Sequence, residues 1–193
     1  MRLKILFAVC VFTIAVPAVS QVAPDVTATG LPLTLGIGYS DYSTDWNGRL
    51  QGGTLWADWN FSHAPGFLRG LSIEVEVRDL NYMRSSGQLN LRQATASGGV
   101  VYAWRHYQKF APYAKFLAGY GSMNFTSTSP SYSHDSRTLY IPGGGLEYRV
   151  HEKIWMRGDY EYQFWPDFFH HQPLCPRGFT IGVSYYLQNF HRH

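Results

Sequence analysis

The sequence predicts an all-β protein: an eight-stranded antiparallel up-and-down barrel with a polar interior. Three observations predict it. Apolar and polar residues alternate in eight separate stretches, the pattern of strands with one greasy and one polar face. No amphipathic helix of useful length lies between them, and their even spacing suits hairpin after hairpin. The composition agrees: of 193 residues, 17% are aromatic and 15% charged, with 14 Tyr and 19 Gly. Average chains carry about 25% charged residues. Tyr and Gly in this abundance suit sheets with close backbone contacts.

The chain opens with a stretch that is not barrel. Residues 1–20 read as a secretory signal peptide. Arg2 and Lys4 begin it, and an apolar run of 12 residues (5–16) follows, too short to span a bilayer. Ala18 and Ser20 supply the small residues of a cleavage site near Ser20–Gln21. Residues 21–29 are expected to be a mobile N-terminal segment, and residues 30–190 the barrel.

The first strand is "LPLTLGIGYSDY" (31–42), with Leu33, Leu35, Ile37 and Tyr39 on one face. The second, "TLWADWNFS" (54–62), carries Leu55, Ala57, Trp59 and Phe61. The third, "LSIEVEVRDL" (71–80), sets Ile73, Val75 and Val77 against Glu74, Glu76 and Arg78. The fourth (92–104) is less regular, with Ala94, Ala96, Val100 and Tyr102 on the apolar side. The fifth, "PYAKFLAGYGSMNF" (112–125), sets Phe116 and Tyr120 against Lys115, Gly119 and Gly121. The sixth, "LYIPGGGLEYRV" (139–150), sets Tyr140, Leu146 and Tyr148 against Glu147 and Arg149. The seventh, "IWMRGDYEYQF" (154–164), sets Met156, Tyr160 and Tyr162 against Arg157, Asp159 and Glu161. The eighth, "GFTIGVSYYL" (178–187), alternates Phe179, Ile181, Val183, Tyr185 and Leu187 with small or polar residues. Connections at 41–49, 82–88, 126–138 and 165–178 are polar or irregular and fall on one rim. Those at 62–70, 105–111 and 151–153 average shorter and fall on the other.

Alternation alone also fits a soluble, secreted, lipocalin-like barrel that binds a small apolar ligand, with its apolar face inward. Three features favour a transmembrane barrel instead. Acids and bases on the polar faces are balanced, as a narrow interior requires. Gly36, Gly38, Gly119, Gly121, Gly143, Gly145 and Gly182 share that face, leaving room beside long side chains. Large aromatics such as Tyr39, Trp59, Tyr148 and Phe164 lie near strand ends on the apolar face, where a ring can be half wet. Longer loops on one rim also match outer-membrane barrels. Glu74, Glu76, Arg78, Lys115, Glu147, Arg149, Arg157, Asp159 and Glu161 are expected to form one interior charge network. Eight strands enclose little beyond side chains, so no open pore is expected.

On "TIGVSYYL" (180–187), "PYAKFLAGYGSMNF" and "YIPGGGLEYRV", nearly the whole mature chain resembles the small outer-membrane β-barrels of the OmpA/OmpX type. The resemblance implies a place in the outer membrane of a Gram-negative cell, surrounded by its lipid. It also implies a C-terminal assembly signal in Thr180, Gly182, Tyr185 and Leu187, read by the barrel-insertion machinery. The chain runs past that stretch through "QNFHRH" (188–193).

No specific chemistry is legible. Two of the 16 Lys+Arg lie in the leader, which leaves 14 against 13 Asp+Glu, with no basic patch for nucleic acid. The eight histidines are read as lying in loops, turns or the tail, and none forms a defensible metal site. No cofactor motif is present. Some barrels of this kind are lipid A-modifying enzymes, but that chemistry needs a nucleophile beside a base. Ser184 and Thr180 face inward with no His on any predicted strand, so no catalytic residue is assigned. Cys175 is read as a free thiol, or as a link to another chain. The expected role is structural or surface interaction, with the surface ligand open.

Overall fold

The structure is a computed structural model, and it describes residues 26–44, 48–61, 66–82, 91–106, 109–125, 134–168 and 172–192. Wherever apolar and polar residues alternate, the backbone is extended and side chains turn alternately in and out. β1 spans Val26–Ser43, β2 Arg49–Asn60, β3 Leu71–Tyr82, β4 Leu91–Ala103, β5 Phe110–Phe125, β6 His134–Arg149 and β7 Ile154–Tyr162. Two short strands follow, β8 (Trp165–Phe168) and β9 (Gln172–Leu174), before the long β10 (Arg177–Arg192). A 3-10 helix over Gly66–Gly70 leads into β3.

The long strands form a closed antiparallel ring in the order β1-β10-β7-β6-β5-β4-β3-β2. Closure matters because a sheet edge in lipid would expose N–H and C=O groups that no water could satisfy. β8 and β9 pair only with each other, as a hairpin in the last long connection.

The boundaries differ from those read in the sequence. Val26–Thr29 stand in β1 rather than in a mobile segment, and β10 runs to Arg192. A ladder from Val26↔Arg192 to Gly30↔Gln188 carries both ends on, with a register shift between Gly30 and Thr34. Backbone pairing needs no hydropathy alternation, so the pattern did not show it. Residues 1–25, including the expected leader, lie outside the described residues. The placing of every histidine in loops, turns or the tail is also corrected: His134 opens β6 and His191 lies within β10.

The apolar face points outward. Mid-strand Ile37 and Val75 are 64% and 57% exposed, whereas Glu74 beside Val75 is fully buried. A lipocalin-like barrel needs the reverse, so the soluble alternative does not fit. About 9–11 residues take a strand across a bilayer. β1 has 18 residues, and β5, β6 and β10 have 16 each, so part of the wall stands clear of lipid. Exposed aromatics mark the boundary at each end. Tyr39, Tyr120 and Tyr160 lie toward the long-loop rim, and Trp59, Trp104, Phe110 and Tyr148 toward the short-turn rim.

Candidate functional site: a filled lumen

Inward positions on four strands bring charge to the middle of the lumen. β2 gives Asp58, β3 gives Glu74, Glu76 and Arg78, β5 gives Lys115, and β7 gives Arg157, Asp159 and Glu161; all are buried. β3 and β7 are diametrically opposed in the ring. Arg157 Nη1 lies 2.7 Å from Glu74 Oε2, and Arg78 Nη2 lies 2.7 Å from Glu161 Oε2. Two ion pairs therefore cross the whole diameter. Lys115 stands midway between those strands. Its Nζ lies 3.3 Å from Glu74, 3.0 Å from Glu76 and 3.5 Å from Asp159, and it also pairs with Glu161.

Aromatic side chains hold the cations in place. Tyr113 donates to Asp159 Oδ2 at 2.6 Å and accepts from Arg157 Nε at 2.8 Å. Tyr42 donates to Glu161. The Arg157 guanidinium sits 4.9 Å from the Trp56 ring centroid and 4.7 Å from that of Tyr113. Such cation–π contacts strengthen when water is excluded. The Trp56 indole in turn needs glycine. A Cβ at Gly36 of β1 or Gly182 of β10 would fall on its ring atoms.

Two residues placed in the network by sequence stand apart. Glu147 accepts from the Tyr186 hydroxyl at 2.8 Å and faces Arg105 at 4.0 Å, a second group near the short-turn mouth. Arg149 is half-buried at the end of β6 and makes no ion pair among the described residues. Alternation gave its parity, but two residues beyond Glu147 the lumen gives way to the mouth. Asp58 joins the group instead, 3.6 Å from Arg157 Nη1.

Above the charges lies a layer the sequence reading missed. Leu50, Leu80, Leu117, Leu139, Ile141 and Trp165 are fully buried in one apolar cluster at the long-loop end. Trp165 comes from β8, and its ring lies where a Cβ at Gly121 would be. Its Nε1 donates to Gln163 Oε1 at 3.3 Å, and Gln93 Nε2 donates to the same oxygen at 2.6 Å. The signal was available: Leu80, Leu117 and Leu139 share the parity of the charged residues.

The inward Ser and Thr of β10 are engaged structurally. Ser184 Oγ accepts from Trp56 Nε1 at 3.3 Å, and Thr180 bonds Ser40 at 2.7 Å. Of the expected assembly residues, Thr180 and Gly182 face the lumen, Tyr185 faces outward, and Leu187 is half-buried. Cys175 is half-buried in the last long connection.

A closed eight-stranded ring with an apolar exterior and an ion-paired lumen is the form of an outer-membrane barrel. The family model for outer membrane protein β-barrel domains matches residues 6–186. The chain belongs to that family. Solved outer-membrane barrels share its fold. Neisserial surface protein A aligns with TM-score 0.65 at 10% identity, covering 83% of this chain and 99% of its own. The attachment invasion locus protein Ail of Yersinia pestis aligns with TM-score 0.57 at 18% identity, again covering 83% and 99%. The N-terminal barrel domain of Pseudomonas aeruginosa OprF aligns with TM-score 0.50 at 16% identity, covering 81% and 100%. A further Ail structure is a complex with the heparin analogue sucrose octasulfate, with TM-score 0.56 and 17% identity. No curated protein sequence matches this outer-membrane barrel.

Proposed function

We propose that this outer-membrane barrel is a closed, non-enzymatic anchor that holds its long-loop rim at the cell surface for a structural or interaction role. The observation that carries this reading is the pair of ion bridges, Arg157–Glu74 and Arg78–Glu161, that cross the lumen between opposed strands. The apolar cluster around Leu139 and Trp165 adds a dry layer above them. Ions crossing the lumen would have to displace both. Purified protein in planar bilayers is expected to give no steady single-channel steps. Reproducible porin-sized conductance would overturn the reading.

The nature of a surface partner is constrained by charge. Ail is seen with a sulfated heparin analogue. Here Arg49, Arg92 and Arg137 at the long-loop rim already meet Asp41, Asp79 and Asp135. Those pairs favour an uncharged or mixed-charge partner over a polyanion. Weak, salt-insensitive retention on a heparin column is the expected outcome, and tight salt-eluted binding would reverse it. The β10 stretch 179–187 serves assembly in this reading, because β10 closes the ring. Its deletion should abolish insertion, and normal surface exposure afterwards would refute that part.

A further inference from the structure

We propose that the short-turn rim is a docking surface for anionic phospholipid headgroups of the leaflet that surrounds it. Three cations form the surface. Lys109 comes from the β4–β5 turn, and Arg149 and Lys153 flank the β6–β7 turn. Arg149 N donates to Lys109 O at 2.8 Å, so these two residues are backbone neighbours across the turns. Lys153 O accepts from Tyr186 N at 2.8 Å, which fixes the third on the same rim. None of the three makes an ion pair among the described residues. Glu152 is the only described carboxylate on that rim outside the lumen.

The opposite rim supplies the contrast. There Arg49, Arg92 and Arg137 each meet an aspartate, and of the described rim arginines only Arg177 has no such partner. Cations already matched by carboxylates have little left for phosphate. At the short-turn rim Arg105 faces Glu147, but the charges of Lys109, Arg149 and Lys153 are unspent among the described residues.

Height along the wall decides which anion is met. Each of the three cations lies level with an outward apolar neighbour while its own position, of inward parity, opens at the mouth of the barrel: Lys109 beside Phe110, Arg149 beside Tyr148, and Lys153 beside Ile154. Phe110 and Tyr148 touch, with ring centroids 5.0 Å apart. Aromatic belts settle at headgroup level. Long Lys and Arg stems bring their charges to that same level. Headgroup phosphates are therefore the anions within reach. The inference rests on the membrane location alone and does not depend on a closed lumen or a surface partner.

The test uses the full mature chain, folded into phosphatidylcholine vesicles with trace spin-labelled phosphatidylglycerol or phosphatidylcholine. The motionally restricted fraction of each label gives their relative association. One cation near a charged membrane surface contributes about 1 kcal/mol, roughly fivefold. Wild type is expected to prefer phosphatidylglycerol by about three- to fivefold at low salt, less at high salt. Combined Lys109→Gln, Arg149→Gln and Lys153→Gln should bring the preference near one. Arg49→Gln with Arg92→Gln on the other rim should leave it intact. If the triple variant does not fold, as judged by gel mobility of unboiled protein, the three single variants and the wild-type salt dependence carry the test. Absent preference in wild type, or preference retained in the variants, would overturn the proposal. So would binding of soluble polyglutamate to the barrel with no lipid preference, which would assign the rim to a soluble acidic partner.

Discussion

Arg157 and Glu74 meet at 2.7 Å in the lumen, and Arg92 and Asp79 meet at 2.5 Å on the long-loop rim. The chemistry and the distances are nearly the same, but the surroundings are not. The lumen side chains are 3% and 0% exposed, the rim side chains 59% and 46%. When a rim partner is lost, water takes its place, and such pairs are worth about 0–1 kcal/mol. When a lumen partner is lost, the remaining charge is stranded. Ion-pair length is therefore a poor guide to importance; what matters is what can replace the partner. Nor is the buried group a large net source of stability, because removing its charges from water is itself costly. Its contribution is a specific, filled interior.

The sharpest way to break this comparison is Arg157→Ala. It leaves Glu74, Asp58 and Asp159 facing an empty site and should cost about 3–5 kcal/mol in a urea unfolding titration in lipid vesicles. A loss below about 1 kcal/mol would mean that the lumen is wet. Next comes Val75→Arg, which puts a cation one residue from Glu74 but on the lipid face. It should cost about 2–4 kcal/mol near the bilayer midplane in the same titration. A negligible loss would undo the assignment of faces. Gly36→Ala sharpens the picture from below the network. Its methyl would occupy the place of the Trp56 indole under Arg157, at about 1–3 kcal/mol for overpacking. Full stability there would show that the indole can move freely. The smallest effect belongs to Arg92→Ala, under about 1 kcal/mol, with a double-mutant cycle to Asp79→Ala that shrinks in salt. A salt-resistant coupling would place this rim pair with the lumen pairs.

The wall was legible because lipid and lumen impose opposite demands on neighbouring residues, so alternation from Ile73 to Arg78 marks both strand and face. The membrane reading needed the inward glycines and strand-end aromatics beside that pattern, and the family came from the resemblance of stretches such as "TIGVSYYL" (180–187). The lumen was less so. Alternation put Arg149 on the inward parity as it did Arg157, but parity does not carry depth, and Arg149 ends at the mouth. Leu80 and Leu139 have the inward parity of the charged residues, yet at the long-loop end they belong to an apolar cluster. Trp165 was hidden more deeply. It sits in a segment read as loop, and its place over Gly121 depends on a hairpin that has no strong pattern of its own. Tyr113 and Tyr42 had the right parity, but nothing in their spacing named Asp159 and Glu161 as partners.

Trp56 belongs to β2, yet its indole lies against Gly36 and Gly38 of β1 and Gly182 of β10. The first and last strands of the chain become neighbours only at the seam where the ring shuts. Until then half of the socket for this side chain does not exist. The indole is thus a latch whose engagement and the closing of the seam are one event in time. Its change in emission, isolated by difference against Trp56→Phe, is a clock for the last step of assembly rather than for the hairpins that precede it.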